Sequence, residues 1–302
     1  MLLNHIRTVR RIALCVVVVG GAWIFGSEIQ GRIVDPVEAR RGYEAVDVNT
    51  APVQFDERRF YDSVERTETD VKVVDGEIKG AIIPHHALAS DLIAEAFGQL
   101  ALSSHPSTIV IVGPNHEEVG DGNAITSSLD WKMSNGNVGH DGSFMSELVT
   151  DGYTVEDNNV VVDEHSVGTL IPYIAHYFPD AKVVPIVLSS KHDIFQSEKL
   201  GEALADKNTL IIASVDFSHY LPLNIANEHD LVTSRAIDAR DSATIAQMNS
   251  DYLDSPPSLI TLFSAMDALN ANEQTLLQHT NSAVIEGVEA ESTTSYFTIL
   301  FH

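Results

Sequence analysis

Short apolar runs that end in polar turns constrain the fold of this chain more than any other feature. Three such runs, 81–83, 108–112 and 210–215, are each followed at once by a turn that contains histidine. The turns read Pro84-His85-His86, Gly113-Pro114-Asn115-His116 and Asp216-Phe217-Ser218-His219. Apolar runs of this length are typical of parallel strands buried on both faces. Because ligands of open α/β sheets gather outside the carboxyl ends of such strands, we expect these turns to meet at one edge of one sheet.

The remaining chain alternates between helix-like and strand-like patterns without an internal repeat. Three further strands are predicted at 182–188, 282–286 and 295–301. The predicted helices are 90–100 with Ser90 as its cap, 166–177 with a kink at Pro172, 197–205, 224–248, and one opened by Pro256 and Pro257. This alternation predicts an α/β fold with a mostly parallel or mixed central sheet flanked by helices.

The charge balance excludes one class of partner. The chain has 302 residues, with 18 Lys and Arg against 43 Asp and Glu, for a formal net charge of −25. Because an acidic surface repels phosphate backbones, we expect no nucleic-acid partner. We divide the chain into an N-terminal membrane anchor or signal segment at 1–27, a linker and leading segment at 28–77, and one α/β domain at 78–302.

The N-terminal segment carries the only membrane-related pattern. Arg7, Arg10 and Arg11 precede an uncharged apolar run at 12–25. The run is shorter than the roughly 20 residues of a full span and matches the length of a signal-peptide core, yet no A-x-A-like cleavage site follows it. The basic flank should stay in the cytoplasm. We therefore expect the body to be membrane-anchored outside the cytoplasm, or secreted if the segment is cleaved.

The polar turns carry residues suited to metal binding and proton transfer. Imidazole is a common metal ligand and exchanges protons near neutral pH. Two histidines and one carboxylate form the facial set of non-haem Fe(II) oxygenases, and a hydrolytic zinc site could use the same ligands. Asp216 and His219 suit a general base, and Asp163-Glu164-His165-Ser166 could act likewise or merely cap the next helix. The motifs GxSxG, GxGxxG, HExxH and the Walker loop are absent.

Four motifs in order resemble those of the Memo family, whose bacterial and archaeal members are called AmmeMemoRadiSam system protein B. They are Ile83-Pro84-His85, Gly113-Pro114-Asn115-His116, Asp163-Glu164-His165-Ser166 and Ser214-Val215-Asp216-Phe217-Ser218-His219-Tyr220. The resemblance covers roughly 78–301 and implies a fold like that of the LigB-type, class III extradiol dioxygenases. It also implies that His85 and His116 are metal ligands.

The third metal position of the family departs from its usual residue. Relatives often carry a cysteine in a turn before a helix, where this chain reads Leu253-Asp254-Ser255-Pro256-Pro257. The resemblance therefore implies Asp254 as the third ligand, with Asp251 as an alternative, and removes thiolate chemistry from the site.

The family resemblance leaves two classes of function open. The first is a dioxygenase-like or other redox enzyme with a divalent metal, expected to be Fe(II), with zinc or copper as alternatives. In that case Asp216, His219 and His165 are the expected catalytic residues. The second is a non-catalytic adaptor that binds a metal or a peptide, as vertebrate Memo proteins are described as signalling scaffolds. The ligand in either case is a small molecule or a peptide.

Overall fold

A mixed central sheet of nine strands organises the protein. The computed structural model describes residues 50–53, 55–67, 74, 76–206, 208–288 and 291–302, all within a compact unit that runs from Asp47 to His302. The strands are β1 Thr50–Pro52, β2 Gly80–Ile83, β3 Thr108–Pro114, β4 Ala124–Thr126, β5 Asp130–Met133, β6 Gly136–Val138, β7 Val155–Glu156, β8 Lys182–Leu188, β9 Thr209–Ser214, β10 Phe217–Leu221, β11 Gln274–Asn281 and β12 Thr293–Phe301.

Helices cover this sheet and connect its strands. They are α1 Glu57–Thr67, α2 Ser90–Ser103, α3 Gly142–Thr150, α4 Asn158–Val161, α5 His165–Gly168, α6 Ile171–Tyr177, α7 Ile194–Leu204, α8 Leu223–Asp238, α9 Ser242–Ile245, α10 Pro256–Leu269 and α11 Ser282–Glu286. A short 3₁₀ turn, Ala87–Ala89, precedes α2.

The centre of the sheet is parallel and antiparallel pairs join it to the strands on either side, whereas β4 and β7 at one edge run parallel to each other. Across the sheet the order is β10, β12, β2, β9, β3, β8, β4 and β7, with β11 paired to β12. The neighbours β2, β9, β3 and β8 run parallel to one another. The four apolar runs predicted as strands of one sheet are therefore confirmed. A separate small sheet joins β1, β5 and β6.

Both faces of the central strands are buried, which explains their continuous apolar sequence. In β3, Ile111 belongs to a core cluster on one face that includes Phe97 of α2. Its neighbours Val110 and Val112 belong to the core cluster on the other face, with Phe263 of α10. Because side chains alternate along a strand, helices on both faces require apolar residues at every position.

One strand prediction near the C-terminal end was wrong, and one strand there was not predicted. The segment 282–286 is the helix α11, in which Asn281 accepts a hydrogen bond from Val284 N at 3.0 Å as the helix cap. The strand lies just before it, as β11. This strand is at the edge of the sheet and many of its residues are exposed, so it lacks the apolar signal of a buried strand.

Three helix predictions differ from the structure in detail. The helix predicted at 166–177 is two helices, α5 and α6, and Pro172 lies in the first turn of α6 instead of kinking a longer helix. Ser90 is the first residue of α2, and Ala89 takes the cap position. The helix predicted at 224–248 is divided into α8 and α9 near Arg240, whose φ is 47°.

The leading segment contributes to the folded unit. Ala51 of β1 and Phe60 and Val64 of α1 are buried in the core cluster that also contains Phe97. The predicted anchor at 12–25 lies outside the described residues. Within the described ranges, no helix has both the length and the apolar character needed to cross a membrane.

Candidate metal centre

The carboxyl ends of three adjacent parallel strands bring the predicted residues together. His85, His116 and Asp216 each lie two residues beyond the end of β2, β3 and β9, respectively. The ring centroids of His85 and His116 are 5.2 Å apart. The distance from His85 Nε2 to Asp216 Oδ2 is 3.7 Å. The sheet therefore holds two imidazoles and a carboxylate within a few ångströms.

Hydrogen bonding fixes which nitrogen of His85 faces the cluster. Ser214 Oγ donates to the carbonyl of Ser166 at 2.6 Å, so the same oxygen must accept from His85 Nδ1, 3.1 Å away. The Nε2 atom is then the one directed at the carboxylates. His85 is 2% exposed, and its backbone N–H donates to Asp216 Oδ1 at 3.0 Å. Both contacts orient the ring rigidly.

Glu164 fixes His116 in the same way. His116 Nδ1 donates to Glu164 Oε1 at 2.7 Å, and its backbone N–H donates to Oε2 at 2.9 Å. The carboxylate also accepts from Ser166 N and so caps α5. Glu164 therefore caps α5, one of the roles considered for its motif, and also orients His116. The Nε2 atom of His116 remains available to a ligand.

Close packing of α5 against β3 brings Glu164 into reach. Ser166 Oγ donates to the carbonyl of Pro114 at 3.0 Å. A Cβ atom at Gly113 would lie 2.7 Å from that same hydroxyl oxygen, so only glycine allows this approach. Gly113 thus determines how closely α5, with Glu164 as its cap, can approach β3.

Asp254 approaches the two histidines from the loop before α10. Its Oδ2 atom lies 3.2 Å from His85 Nε2 and 4.0 Å from His116 Nε2. The same oxygen accepts from Asp216 N at 3.1 Å, and Asp254 N donates to the carbonyl of Asp216. The other oxygen, Oδ1, is buried and has no hydrogen-bond partner among the described residues. Asp251, the alternative third ligand, belongs to neither group of described side chains whose donor atoms are close enough to hold a metal.

The two other predicted histidines line the same site. The ring of His165 stacks on that of His116, with centroids 4.0 Å apart. His219 Nε2 is 4.0 Å from Asp254 Oδ2. Its Nδ1 atom is buried and also lacks a hydrogen-bond partner among the described residues. All six predicted site residues therefore surround one pocket.

The electrostatics of the site favour a cation. Burial lowers the pKa of His85, but Asp216 and Asp254 outweigh it and raise that pKa to about 9. Burial raises the pKa of Glu164, but hydrogen bonds from His116 and Ser166 outweigh it and lower that pKa to about 2. Glu164 thus stays ionised, and the acidic side chains around His85 stabilise positive charge placed among them.

Two overlapping groups of side chains could hold a metal ion in the described part of the chain. One consists of His85, His116 and His165, and the other of His85, Asp216 and Asp254. In each group the ligand atoms lie within 4.8 Å of one another. Imidazole nitrogen and carboxylate oxygen are the donors that iron and zinc accept in proteins. The two groups together include the predicted ligands His85, His116 and Asp254, although neither group contains all three. The unpartnered Asp254 oxygen is a further donor for such an ion.

The pocket above this cluster is wide enough for an organic ligand. Its volume is about 690 Å³, and it contains all six predicted residues. A second cleft of about 650 Å³ shares Ala87, His165 and Thr169 with it. The second cleft is lined by Phe60, Pro172 and other largely apolar residues. A ligand at the histidines therefore has adjoining space on the side of His165.

Sequence reasoning assigned no role to Ser214 and Ser166, which help to orient the histidines. Ser214 is the last residue of an apolar strand, and Ser166 reads as an ordinary helix residue. Their roles depend on the packing of α5 against β3 and β9, and the local sequence pattern does not indicate that packing. The polar character of Ser214 at the end of β9 is the one signal that could have indicated it.

Three comparisons with known proteins agree with this architecture. A family model described as "Memo-like protein" matches residues 57–300. A MEMO1 family protein of Pyrobaculum aerophilum is 32% identical over 240 residues, which are 75% of this chain and 84% of the relative. A MEMO1 family protein of Methanopyrus kandleri is 29% identical over 238 residues, covering 74% and 83%.

Among solved structures, the crystal structure of an uncharacterized protein of Escherichia coli K12 is similar in fold, with a TM-score of 0.52 and 14% identity. The match covers 75% of this chain and 100% of the other. At that identity, the similarity concerns the fold alone.

Proposed function

This chain belongs to the Memo family, and from that premise we propose that it binds one divalent metal ion through His85, His116 and Asp254 and catalyses a dioxygenase-like or other redox reaction. The observation that carries the proposal is the position of Asp254 Oδ2. This one oxygen lies 3.2 Å from His85 Nε2 and 4.0 Å from both His116 Nε2 and His219 Nε2. A buried carboxylate surrounded by imidazole nitrogens is a typical metal-ligand arrangement.

The donor set favours iron(II) as the metal. Two imidazoles and one carboxylate leave coordination positions open for substrate and dioxygen, and bound iron(II) supplies the redox chemistry. Zinc and copper accept the same donors and are the alternatives. The sole cysteine, Cys15, lies outside the described residues and in the N-terminal apolar run, so thiolate ligation does not enter the proposal.

The neighbouring residues would handle protons and substrate. Asp216, 4% exposed, accepts from His85 N and stands 3.7 Å from its Nε2, beside the proposed metal, where it can accept a proton from bound water or substrate. His219 lies on the other side of Asp254 and can exchange a proton with a bound substrate. His165 is exposed at the junction of the two clefts, where it can contact a small-molecule or peptide ligand.

Metal content tests the proposal directly. Protein purified anaerobically without chelators should contain about one metal ion per chain, and His85→Ala, His116→Ala and Asp254→Ala should each lower the affinity by orders of magnitude. His105→Ala is the control, because His105 is an exposed histidine outside the site. Equal metal content in all four variants, or none in the parent, would refute the site and favour a non-catalytic adaptor.

The place of the protein in the cell is a separate part of the proposal. The apolar run at 12–25 and the basic residues before it support a body that is held at the membrane outside the cytoplasm, or secreted if the run is cleaved.

A further inference from the structure

His219 is held in an unusual backbone conformation. The residues on either side of it, Ser218 and Tyr220, both have positive φ, at 39° and 57°. Neither is glycine, so the left-handed conformation costs free energy at both positions. Conformations of this kind persist only where surrounding contacts stabilise them, and they concentrate at functional sites. We therefore expect the contacts of Ser218 to stabilise this conformation beside the metal centre.

A buried carboxylate on α8 holds Ser218. Ser218 Oγ donates to Asp230 Oδ1 at 2.6 Å, and Asp230 is 1% exposed. The second oxygen, Oδ2, accepts from His279 Nε2 at 2.8 Å. His279 in turn stacks on Phe297 with a centroid distance of 4.0 Å and an interplanar angle of 10°. Both oxygens of Asp230 thus have donors, as a buried carboxylate requires.

The preceding residue of the same helix holds the loop that carries Asp254. His229 Nδ1 donates to the carbonyl of Asp251 at 2.9 Å. Its ring also stacks on Tyr252, with centroids 4.2 Å apart and planes at 5°. Two consecutive residues of α8 therefore contact the two chain segments that deliver His219 and Asp254 to the metal centre.

These two segments also bond directly to each other. Ser218 N donates to the carbonyl of Tyr252, and His219 N donates to the carbonyl of Ser250, each at 3.0 Å. The two segments form one hydrogen-bonded unit, and His229 and Asp230 of α8 bond to it. None of His229, Asp230 and His279 lines the pocket above the metal centre.

We propose that His229, Asp230 and His279 are positioning residues of the metal centre: from behind the two segments, they set the position of His219 relative to the Asp254 carboxylate. The inference rests on the proposed metal site and adds three residues that touch neither metal nor substrate. These three residues act only through hydrogen bonds and ring stacking. Removing one acceptor or one donor should therefore change the geometry of the site without removing a ligand.

Cobalt(II) added to the full-length protein tests this role, because the visible spectrum of the bound ion reports its coordination geometry. Asp230→Asn keeps the size of the side chain but replaces an acceptor oxygen by an NH₂ group opposite Ser218 or His279. We expect an altered spectrum and Co(II) binding weakened about tenfold or more. Asp238→Asn is the matched control, since Asp238 is exposed on the same helix, and it should match the wild type in both measurements.

Two further pairs of measurements separate positioning from general stability. His279→Leu should reproduce the spectral change, whereas His279→Gln, which retains a side-chain N–H, should restore the wild-type spectrum. Should Asp230→Asn fail to fold, His229→Phe keeps the ring stack but loses the bond to Asp251 and should alter the spectrum.

Three results would overturn the inference. A purely structural role would lower the thermal midpoint of the metal-free variants and leave the Co(II) spectrum of the folded protein unchanged. Wild-type spectra and affinities in Asp230→Asn, His279→Leu and His229→Phe, with loss of binding in His85→Ala, would refute the positioning role and leave the metal site intact. A parent protein that binds no Co(II) would refute the site and this inference with it.

Discussion

At the scale of single residues, the contact between Gly113 and Ser166 controls how closely α5 approaches the sheet. Gly113→Ala would place a methyl group 2.7 Å from Ser166 Oγ and 2.8 Å from its Cβ, so the helix must shift. We expect a loss of about 1–3 kcal/mol in the free energy of unfolding, measured by urea denaturation, because overpacking a buried contact has this cost. Gly168→Ala is the control: a Cβ there has no neighbour within 4 Å, so the substitution should be neutral or slightly stabilising. Equal stability of the two variants would contradict the close-packing account.

Single residues of the site also differ in whether the sequence alone could indicate them. His85, His116 and Asp216 could be found because each directly follows an apolar run, and parallel strands bring such positions together. Asp254 lies on a loop beyond a long helical region and was indicated only by family resemblance. The orienting contact of Glu164 with His116 joins residues 48 apart in sequence, so it depends on tertiary packing that no spacing rule encodes.

At the scale of secondary-structure elements, a buried histidine just before α7 should make stability depend on pH. His192 donates to or accepts from Ser197 Oγ at 3.0 Å, and burial lowers its pKa from 6.5 to about 4. The folded state therefore favours the neutral ring. The neutral ring's contribution to the free energy of unfolding is fully present above pH 6.5. It is lost as the pH falls towards 4, by up to about 3 kcal/mol.

His192→Gln should reduce the fall in the free energy of unfolding between pH 7 and pH 4, measured by urea denaturation. The exposed His105→Gln should leave the fall unchanged. Parallel pH profiles for His192→Gln and wild type would show that His192 is not responsible.

Elements differ in predictability because they differ in burial. The strands β2, β3, β8 and β9 are covered on both faces, so their sequences are continuously apolar and the four were predicted correctly. The edge strand β11 mixes exposed and half-buried residues without regular alternation and carries polar side chains such as Gln274 and Gln278, so its pattern resembles a loop. The break between α5, which ends at Gly168, and α6, which begins at Ile171, lies where Pro172 has no N–H to donate to the carbonyl four residues earlier, so the two helices cannot be one.

At the scale of the whole molecule, charge separates the N-terminal segment from the rest. Six of the 18 basic residues lie in the first 41 positions of a chain with a net charge of −25. An acidic body attracts divalent cations by long-range electrostatics, which is consistent with the proposed metal centre. The basic residues precede the apolar run at 12–25, and positive charge beside an apolar segment tends to remain in the cytoplasm.

This asymmetry predicts the topology of the protein in a bacterial cell. A reporter that is active only in the cytoplasm, fused after His302, should give no signal, because the run at 12–25 should carry the body across the membrane. The same fusion to a chain that lacks residues 1–27 should be active, since nothing would then direct the body out of the cytoplasm. Fractionation should recover the full-length chain with membranes or, if the segment is cleaved, outside the cytoplasm. A full-length fusion that is active and fully soluble in the cytoplasm would refute the anchor and the export of the body together.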